Sequence, residues 1–245
     1  MQAEEYRKMA DVEDVMWYYR ALHRHVGRAL RHHLPSAAEI LDAGCGTGGL
    51  LRRLKHAEPA WRLTGLDLSP QAAEFARQRA GVEVAEGSVL QLPFADGRFD
   101  AIVSCDVLCQ VDDPVAALRE FARCLKPGGV VVLTMPAYQW MFSYHDRQVS
   151  NLRRYTRGET LALLRAAGLA PRESTYWNML TLPLAVLRRK VFPPRVPASD
   201  VLLYPAPVEA IFNAMMLLEH GWLGAGLGLP CGSSLVAVGR KSEPA

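Results

Sequence analysis

The chain has 245 residues, half of them hydrophobic, with 22% charged side chains and a formal net charge of +3. That composition excludes a disordered or fibrous chain and fits one α/β domain with a modest insertion. Arginines are dispersed, with short clusters only at Arg52-Arg53, Arg153-Arg154 and Arg188-Arg189-Lys190, so no nucleic acid is expected as partner.

The five cysteines form no C-x-x-C pair and no His/Cys ligand spacing. Reduced thiols, a cytoplasmic setting and no metal site are therefore expected. Met1-Gln2-Ala3-Glu4-Glu5 lacks a signal-peptide core, and no apolar run reaches the ~20 residues needed to span a bilayer.

Residues 1–34 read as helical. Met9, Val12, Val15-Met16, Tyr19, Leu22, Val26 and Leu30 recur near a period of 3.6, so one face is apolar. Ile40-Leu41 is a short apolar run that ends in Asp42. Gly44, Gly46, Gly48 and Gly49 follow, and a helical pattern begins at Leu50. This is a buried parallel strand delivering its carboxyl end to a helix through a turn that keeps side chains out of the way. The same glycines satisfy a dinucleotide pattern, but a pyrophosphate would avoid the carboxylate of Asp42. Asp67 ends the next apolar run, where an acidic side chain can accept hydrogen bonds from ribose hydroxyls. The pair points to a nucleoside with a cationic tail.

Ser69-Pro70 marks a helix start that runs to about Ala80, and Val82 to Ala85 reads as a third strand. Phe99 to Asp106 is a near-continuous apolar run, as in a strand covered on both faces. Asp113-Pro114 caps another helix, and Leu125 to Gly129 turns into a strand from Val130 to Met135. Thr156 and Glu159 form a capping box before the apolar pattern at Leu161, Leu163 and Leu164. Residues 169–177 and Ser233 to Gly239 supply the last strands. Between them lie an apolar segment from Met179 to Leu187, where Pro183 should kink or restart the helix, then a proline-rich linker and a helix from Val208 to Leu218. This block reads as a helical cap, an apolar acceptor pocket or a membrane-facing patch with a basic rim.

The series D-A-G-C-G-T-G-G, L-T-G-L-D-L-S, F-D-A-I-V-S-C-D-V-L and L-K-P-G-G-V-V-V-L-T-M-P resembles the ordered motifs of class I S-adenosylmethionine-dependent methyltransferases over about residues 38–170. The resemblance implies a Rossmann-like, seven-stranded, mostly parallel sheet flanked by helices, with a helical insertion before the last strand. Residues 1–34 become an N-terminal helical lid, 38–177 and 232–240 the cofactor-binding core, and 178–230 the insertion shaping the acceptor site, all within one domain spanning 1–245. The implied cofactor is S-adenosylmethionine, with Asp42, Gly44, Cys45, Gly46, Gly48, Asp67, Leu68, Ser88, Val89 and Cys105 about it and Tyr18 and Arg20 contributed by the lid. Relatives more often carry Asp where Ser88 stands, and V-L-E-H where this chain has Val107-Leu108-Cys109-Gln110, so no catalytic role passes from that histidine.

The stretch from Pro136 to Asp146, followed by Arg153-Arg154-Tyr155-Thr156, resembles a bacterial small-molecule branch of the family. His145 at the mouth of the site is the candidate general base for O-methylation. Asp146, or another carboxylate, would orient its ring, and Arg153 and Arg154 would bind an acidic group on the acceptor or else only Asp146 and solvent. Alternatives are a non-methylation reaction such as cyclisation on the same fold, a lipid- or quinone-directed enzyme in peripheral contact with a membrane, or a noncatalytic cofactor-binding subunit.

Overall fold

The computed structural model describes residues 3–194 and 199–243; part of the proline-rich linker, like the first two and last two residues of the chain, lies outside them. The N-terminal segment forms α1 (Ala3–Val12) and α2 (Trp17–His33). The single helical stretch expected there is broken at residues 13–16, where Glu13 turns into the body of the protein to bond Thr47 and Arg79.

The alternating core then follows as β1 (Glu39–Ala43), α3 (Gly49–Ala57), β2 (Arg62–Asp67), α4 (Pro70–Ala80), β3 (Glu83–Glu86), β4 (Phe99–Cys105), α5 (Pro114–Cys124) and β5 (Leu125–Pro136). Local signals set these boundaries. Ser69 and Asp113 accept from the N–H groups of Ala72 and Ala116, with proline at the first helical position in both helices. β5 begins five residues before the expected strand start. After it come α6 (Tyr144–Gln148), α7 (Arg157–Ala166), β6 (Leu169–Trp177), α8 (Leu182–Val186) with a π-helical turn Leu187–Val191, α9 (Ala206–Gly224) and β7 (Ser234–Lys241). Pro183 lies in the first turn of α8, so it starts that helix and does not kink one.

The seven strands form one sheet in the order β3-β2-β1-β4-β5-β7-β6. β7 runs antiparallel to both its neighbours, and the remaining pairs are parallel. Successive residues alternate between the two faces, as a strand requires. Ile40, Val103 and Val132 pack with α2, α3 and α9 on one side, whereas Leu41, Ile102 and Val131 pack with α5 and α7 on the other. From β1 the chain proceeds to β2 and β3 on one side and returns to β4 and β5 on the other. That reversal opens a crevice at the carboxyl ends of β1 and β4, where open α/β sheets bind ligands.

Candidate active site

The crevice is a cavity of about 480 Å³ lined at one end by the glycine turn and at the other by the segments after β5. At the glycine end, β1 delivers Asp42, which is only 2% exposed. Among the described residues its carboxylate has neither an ion-pair partner nor a hydrogen bond. Burial, reinforced by Glu13 and Asp67, pushes this carboxyl up to about 8. Gly44 adopts φ +86°, and a Cβ there would run into Val107; at Gly46, φ +52°, a Cβ would stand 2.6 Å from Met9 Cε. Both positions favour glycine for their backbone conformation, and Gly44 for space as well, whereas the flexible end of Met9 can swing away from Gly46.

Asp67, at the end of β2, ties this turn together. Its Oδ2 accepts the Gly46 N–H at 2.9 Å, and its Oδ1 accepts the Ser69 N–H at 2.9 Å and the Tyr6 hydroxyl at 3.4 Å. Asp106, just past β4, completes a set of strand-end carboxylates. It adopts φ +56° and accepts the Tyr18 hydroxyl at 2.9 Å and the Thr134 hydroxyl at 3.2 Å. Burial raises its carboxyl, against the pull of those two hydrogen bonds. Asp42, Asp67 and Asp106 all line the cavity, and none is ion-paired among the described residues.

The N-terminus of α3, the usual seat of a phosphate, is capped by Glu13. Its Oε2 accepts the Gly49 N–H at 3.1 Å and the Thr47 hydroxyl at 2.6 Å, and Arg79 holds the same oxygen at 2.8 Å. An anion is thus built in where a pyrophosphate would go, and the remaining acidic groups suit a cation.

Cys45, Leu68, Ser88, Val89 and Cys105 line the same end of the cavity. Leu68 is 74% exposed, an apolar side chain presented at the rim. Ser88 accepts the Leu90 N–H at 3.1 Å, so one face of its hydroxyl holds the turn. Burial raises both thiols well above the ordinary value, leaving them protonated and unreactive. Two expected contacts are not made. Gly48 is outside the cavity, and its missing side chain lets Ala76 of α4 approach. Arg20 is exposed on the outer face of α2, because the inward-facing positions are taken by the apolar side chains that pack on the sheet. The side chains that the N-terminal segment turns to the cavity are instead Tyr6, Met9, Trp17, Tyr18 and Tyr19.

At the far end, the order of the charges is different. Ser143 and Asp146 form a capping box on α6. Asp146 Oδ1 accepts from Arg154 Nε at 2.8 Å and Asn151 Nδ2 at 3.0 Å, while its Oδ2 accepts the Ser143 N–H at 2.8 Å. Against the cost of burial, Arg154 and these hydrogen bonds hold the carboxylate below its ordinary value. Asp146 therefore fixes the local backbone and does not orient the His145 ring. That ring is held by Asp200, whose N–H donates to His145 Nδ1 at 3.0 Å. The Asp200 carboxylate binds Arg188 Nε at 3.0 Å, Arg189 Nε at 2.8 Å and the Tyr144 hydroxyl at 2.9 Å. Against burial, the two arginines lower it to about 2.

This arrangement opposes the expected base at His145. With Nδ1 accepting a backbone N–H, the neutral ring carries its proton on Nε2, and burial followed by the charge of Arg189 lowers the imidazole to about 3. In that tautomer Nε2 donates and does not accept. Arg153 is not a cavity residue either. It reaches outward to the Asp112 carbonyl at 3.3 Å, and Arg154 lines the cavity in its place. The rest of this end is Val149, Leu184, Val201, Tyr204 and Phe212.

Of the residues sequence reasoning passed over, Asp106 carried a usable signal, an acidic residue closing an apolar strand as at Asp42 and Asp67. Glu13, Tyr6, Asp200 and Phe212 carried none, since each reaches the cavity only through long-range packing.

Residues 41–133 match the model of a methyltransferase domain. The chain is 40% identical over 131 residues to an uncharacterised 37.1 kDa protein of transposon TN4556 from Streptomyces fradiae, covering 51% of this chain and 37% of that protein. It is 34% identical over 122 residues to demethylmenaquinone methyltransferase of Staphylococcus aureus, covering 45% of this chain and 51% of that enzyme. The chain thus spans about half, or less, of the length of these curated relatives. Among solved structures, a SAM-dependent methyltransferase of Thermotoga maritima superimposes with a TM-score of 0.62 at 23% identity, over 98% of this chain and 96% of that one. The fold is the class I methyltransferase fold.

Proposed function

We propose that the protein is an S-adenosylmethionine-dependent methyltransferase acting on a small molecule with an apolar body. The observation that carries the reading is Asp42, a buried carboxylate lining the cavity with no partner among the described residues. A buried acid in that state calls for a ligand cation, and the methyltransferase-domain match over residues 41–133 points to the same cofactor.

When bound, S-adenosylmethionine supplies a methyl group on a positively charged sulfur. Asp42 would hold the cationic end of that cofactor. Asp67 Oδ2 keeps a lone pair for a ribose hydroxyl beyond the Gly46 N–H it accepts, whereas Oδ1 already accepts the Ser69 N–H and the Tyr6 hydroxyl, so a second ribose hydroxyl there would displace Tyr6. Leu68 and Val89 offer apolar surface for the base. The acceptor would lie between the glycine turn and the cap, against Leu184, Val201, Tyr204 and Phe212, with His145 Nε2 and Arg154 as donors that fix its orientation. For oxygen or nitrogen acceptors, the group suited to take the departing proton is Asp106, a raised carboxyl on the cavity wall between the two ends.

The test is formation of S-adenosylhomocysteine with a panel of phenols, amines and prenylated quinols, the last chosen from the name of the Staphylococcus aureus relative. Methyl transfer to at least one class is expected. Asp106→Asn should abolish most turnover while sparing cofactor affinity. His145→Gln, which keeps a donor, should leave the pH dependence of turnover unchanged; loss of an inflection near neutral pH would restore the histidine as base. Acceptor consumption without S-adenosylhomocysteine would indicate a cofactor-retaining reaction such as cyclisation. Binding of NADH in preference to S-adenosylhomocysteine would end the reading.

A further inference from the structure

α9 is amphipathic in the reverse sense. Its two acidic residues face the protein: Glu209 accepts the N–H groups of Trp17 at 2.9 Å and Tyr204 at 3.1 Å, and Glu219 those of Asn178 at 2.6 Å and Leu180 at 2.7 Å. The residues turned to solvent are Ala210, Ile211, Ala214, Leu217, Leu218 and Trp222, spaced at helical intervals with no charge among them. Leu218 is 70% exposed and Trp222 54%. A soluble surface helix shows the opposite pattern, and an exposed apolar stripe of this kind marks an interaction site.

The adjoining helix is charged with one sign. α2 packs along α9, with Arg28 Nη1 donating to the Leu223 carbonyl at 3.4 Å and the His25 and His220 rings 5.4 Å apart. Arg20, Arg24, Arg28 and Arg31 recur at intervals of three or four residues on the outer side of α2. Arg20 and Arg31 are exposed, whereas Arg24 and Arg28 are half-buried, with Arg24 Nε and Nη2 shielded from solvent; among the described residues only Arg31 of the four is ion-paired, to Glu58 at 3.4 Å. Arg53 of α3 adds to the same field. Beyond the other end of the cavity, Leu187, Val191 and Phe192 are exposed beside Lys190, on the segment whose Leu184 and Arg188 line the cavity.

We propose that this face docks on an anionic membrane surface, with the apolar stripe of α9 entering the boundary between headgroups and acyl chains and the arginines of α2 over the lipid phosphates. The charge pattern selects this occupant. A two-fold contact between copies through α9 would bring one arginine row toward the other, a like-charge juxtaposition. Anionic lipid complements both parts, and an interfacial tryptophan is at home there. Among the described residues no helix is long and apolar enough to cross a membrane, so the helix lies in the surface. Docking there would open the cap end of the cavity toward lipid-borne acceptors. The inference stands independently of methyl transfer.

The test is co-sedimentation of the full chain with phosphatidylcholine vesicles, with and without a third of the lipid as phosphatidylglycerol. Binding to the anionic vesicles is expected, about tenfold weaker or more without phosphatidylglycerol and largely reversed by high salt. Leu218→Asn with Trp222→Gln should reduce it about tenfold, and Arg20→Gln and Arg31→Gln about fivefold each. All four positions are outside the cavity, and circular dichroism checks that the variants fold. The proposal fails if the folded parent does not sediment with anionic vesicles, or if the Leu218/Trp222 variant binds as well as the parent. It also fails if the parent is a dimer that this variant dissociates, which would give the face to a second copy.

Discussion

The two ends of the cavity hold similar acidic side chains in opposite circumstances. At the cap end, Asp146 is paired with Arg154 and Asp200 with Arg188 and Arg189. At the glycine end, Asp42 and Asp67 have no ion-pair partner among the described residues, nor has Asp106 on the wall between the two ends, although it feels the charge of Arg154. A compensated buried charge organises the chain around it, whereas an uncompensated one is tolerated only where something else completes it. The distinction separates scaffold from ligand site more reliably than residue type does, since aspartate serves both purposes here.

The sharpest way to break the comparison is to remove one member of the buried pair. Asp146→Ala should destabilise the fold by about 3–5 kcal/mol in chemical denaturation, because Arg154 is left buried and unpaired. Asp42→Asn should cost nothing at acidic pH, where the carboxyl it replaces is already protonated. A parent and variant at Asp42 that unfold as differently as those at Asp146 would dissolve the contrast.

Protonation sharpens it further. The folded carboxyl of Asp42 is raised from 3.8 to about 8. Between those values the folded protein keeps a proton that the unfolded chain has released, so this residue's contribution to stability falls as pH rises through that window. Asp200, lowered to about 2, acts in the opposite sense: its contribution is present above the ordinary value and is lost as pH falls toward 2. Calorimetric titration with S-adenosylhomocysteine should release a proton from Asp42. Its affinity should therefore tighten by up to about tenfold per pH unit from pH ~6 toward pH ~8, and Asp42→Asn should flatten that dependence. At neutral pH the same substitution should weaken binding by about 1.5–3 kcal/mol, the value of a charge-assisted hydrogen bond.

The smallest effect is expected at Arg153, whose one hydrogen bond among the described residues is to the Asp112 carbonyl. Arg153→Ala should change stability by about 0.5 kcal/mol or less and leave turnover within about twofold. A large loss of turnover would bring Arg153 back into the acceptor site.

The glycine end was largely legible in the sequence. Strand, acidic residue, glycine turn and helix succeed one another within a few residues, so the elements from β1 to β5 and the cavity positions of Asp42, Gly44, Gly46 and Asp67 followed from local pattern, and that of Val89 from the family resemblance. Gly48 and Arg20 did not fit, because spacing cannot distinguish a glycine needed for a ligand from one needed for Ala76, or one face of α2 from the other. The cap end was read less well. His145 and Asp146 are adjacent in the chain and resemble a catalytic pair, yet one is bonded to Asp200 and the other to Arg154.

By itself, then, the sequence determined the sheet's parallel core and the acidic, glycine-lined crevice at its switch point, since hydrophobic period, caps and turn residues act over short distances. Only the tertiary structure decided which acids found cations, which nitrogen of His145 carries the proton and which face of α9 meets solvent. Those outcomes depend on groups tens of residues apart being brought within hydrogen-bonding reach, and no local pattern encodes that.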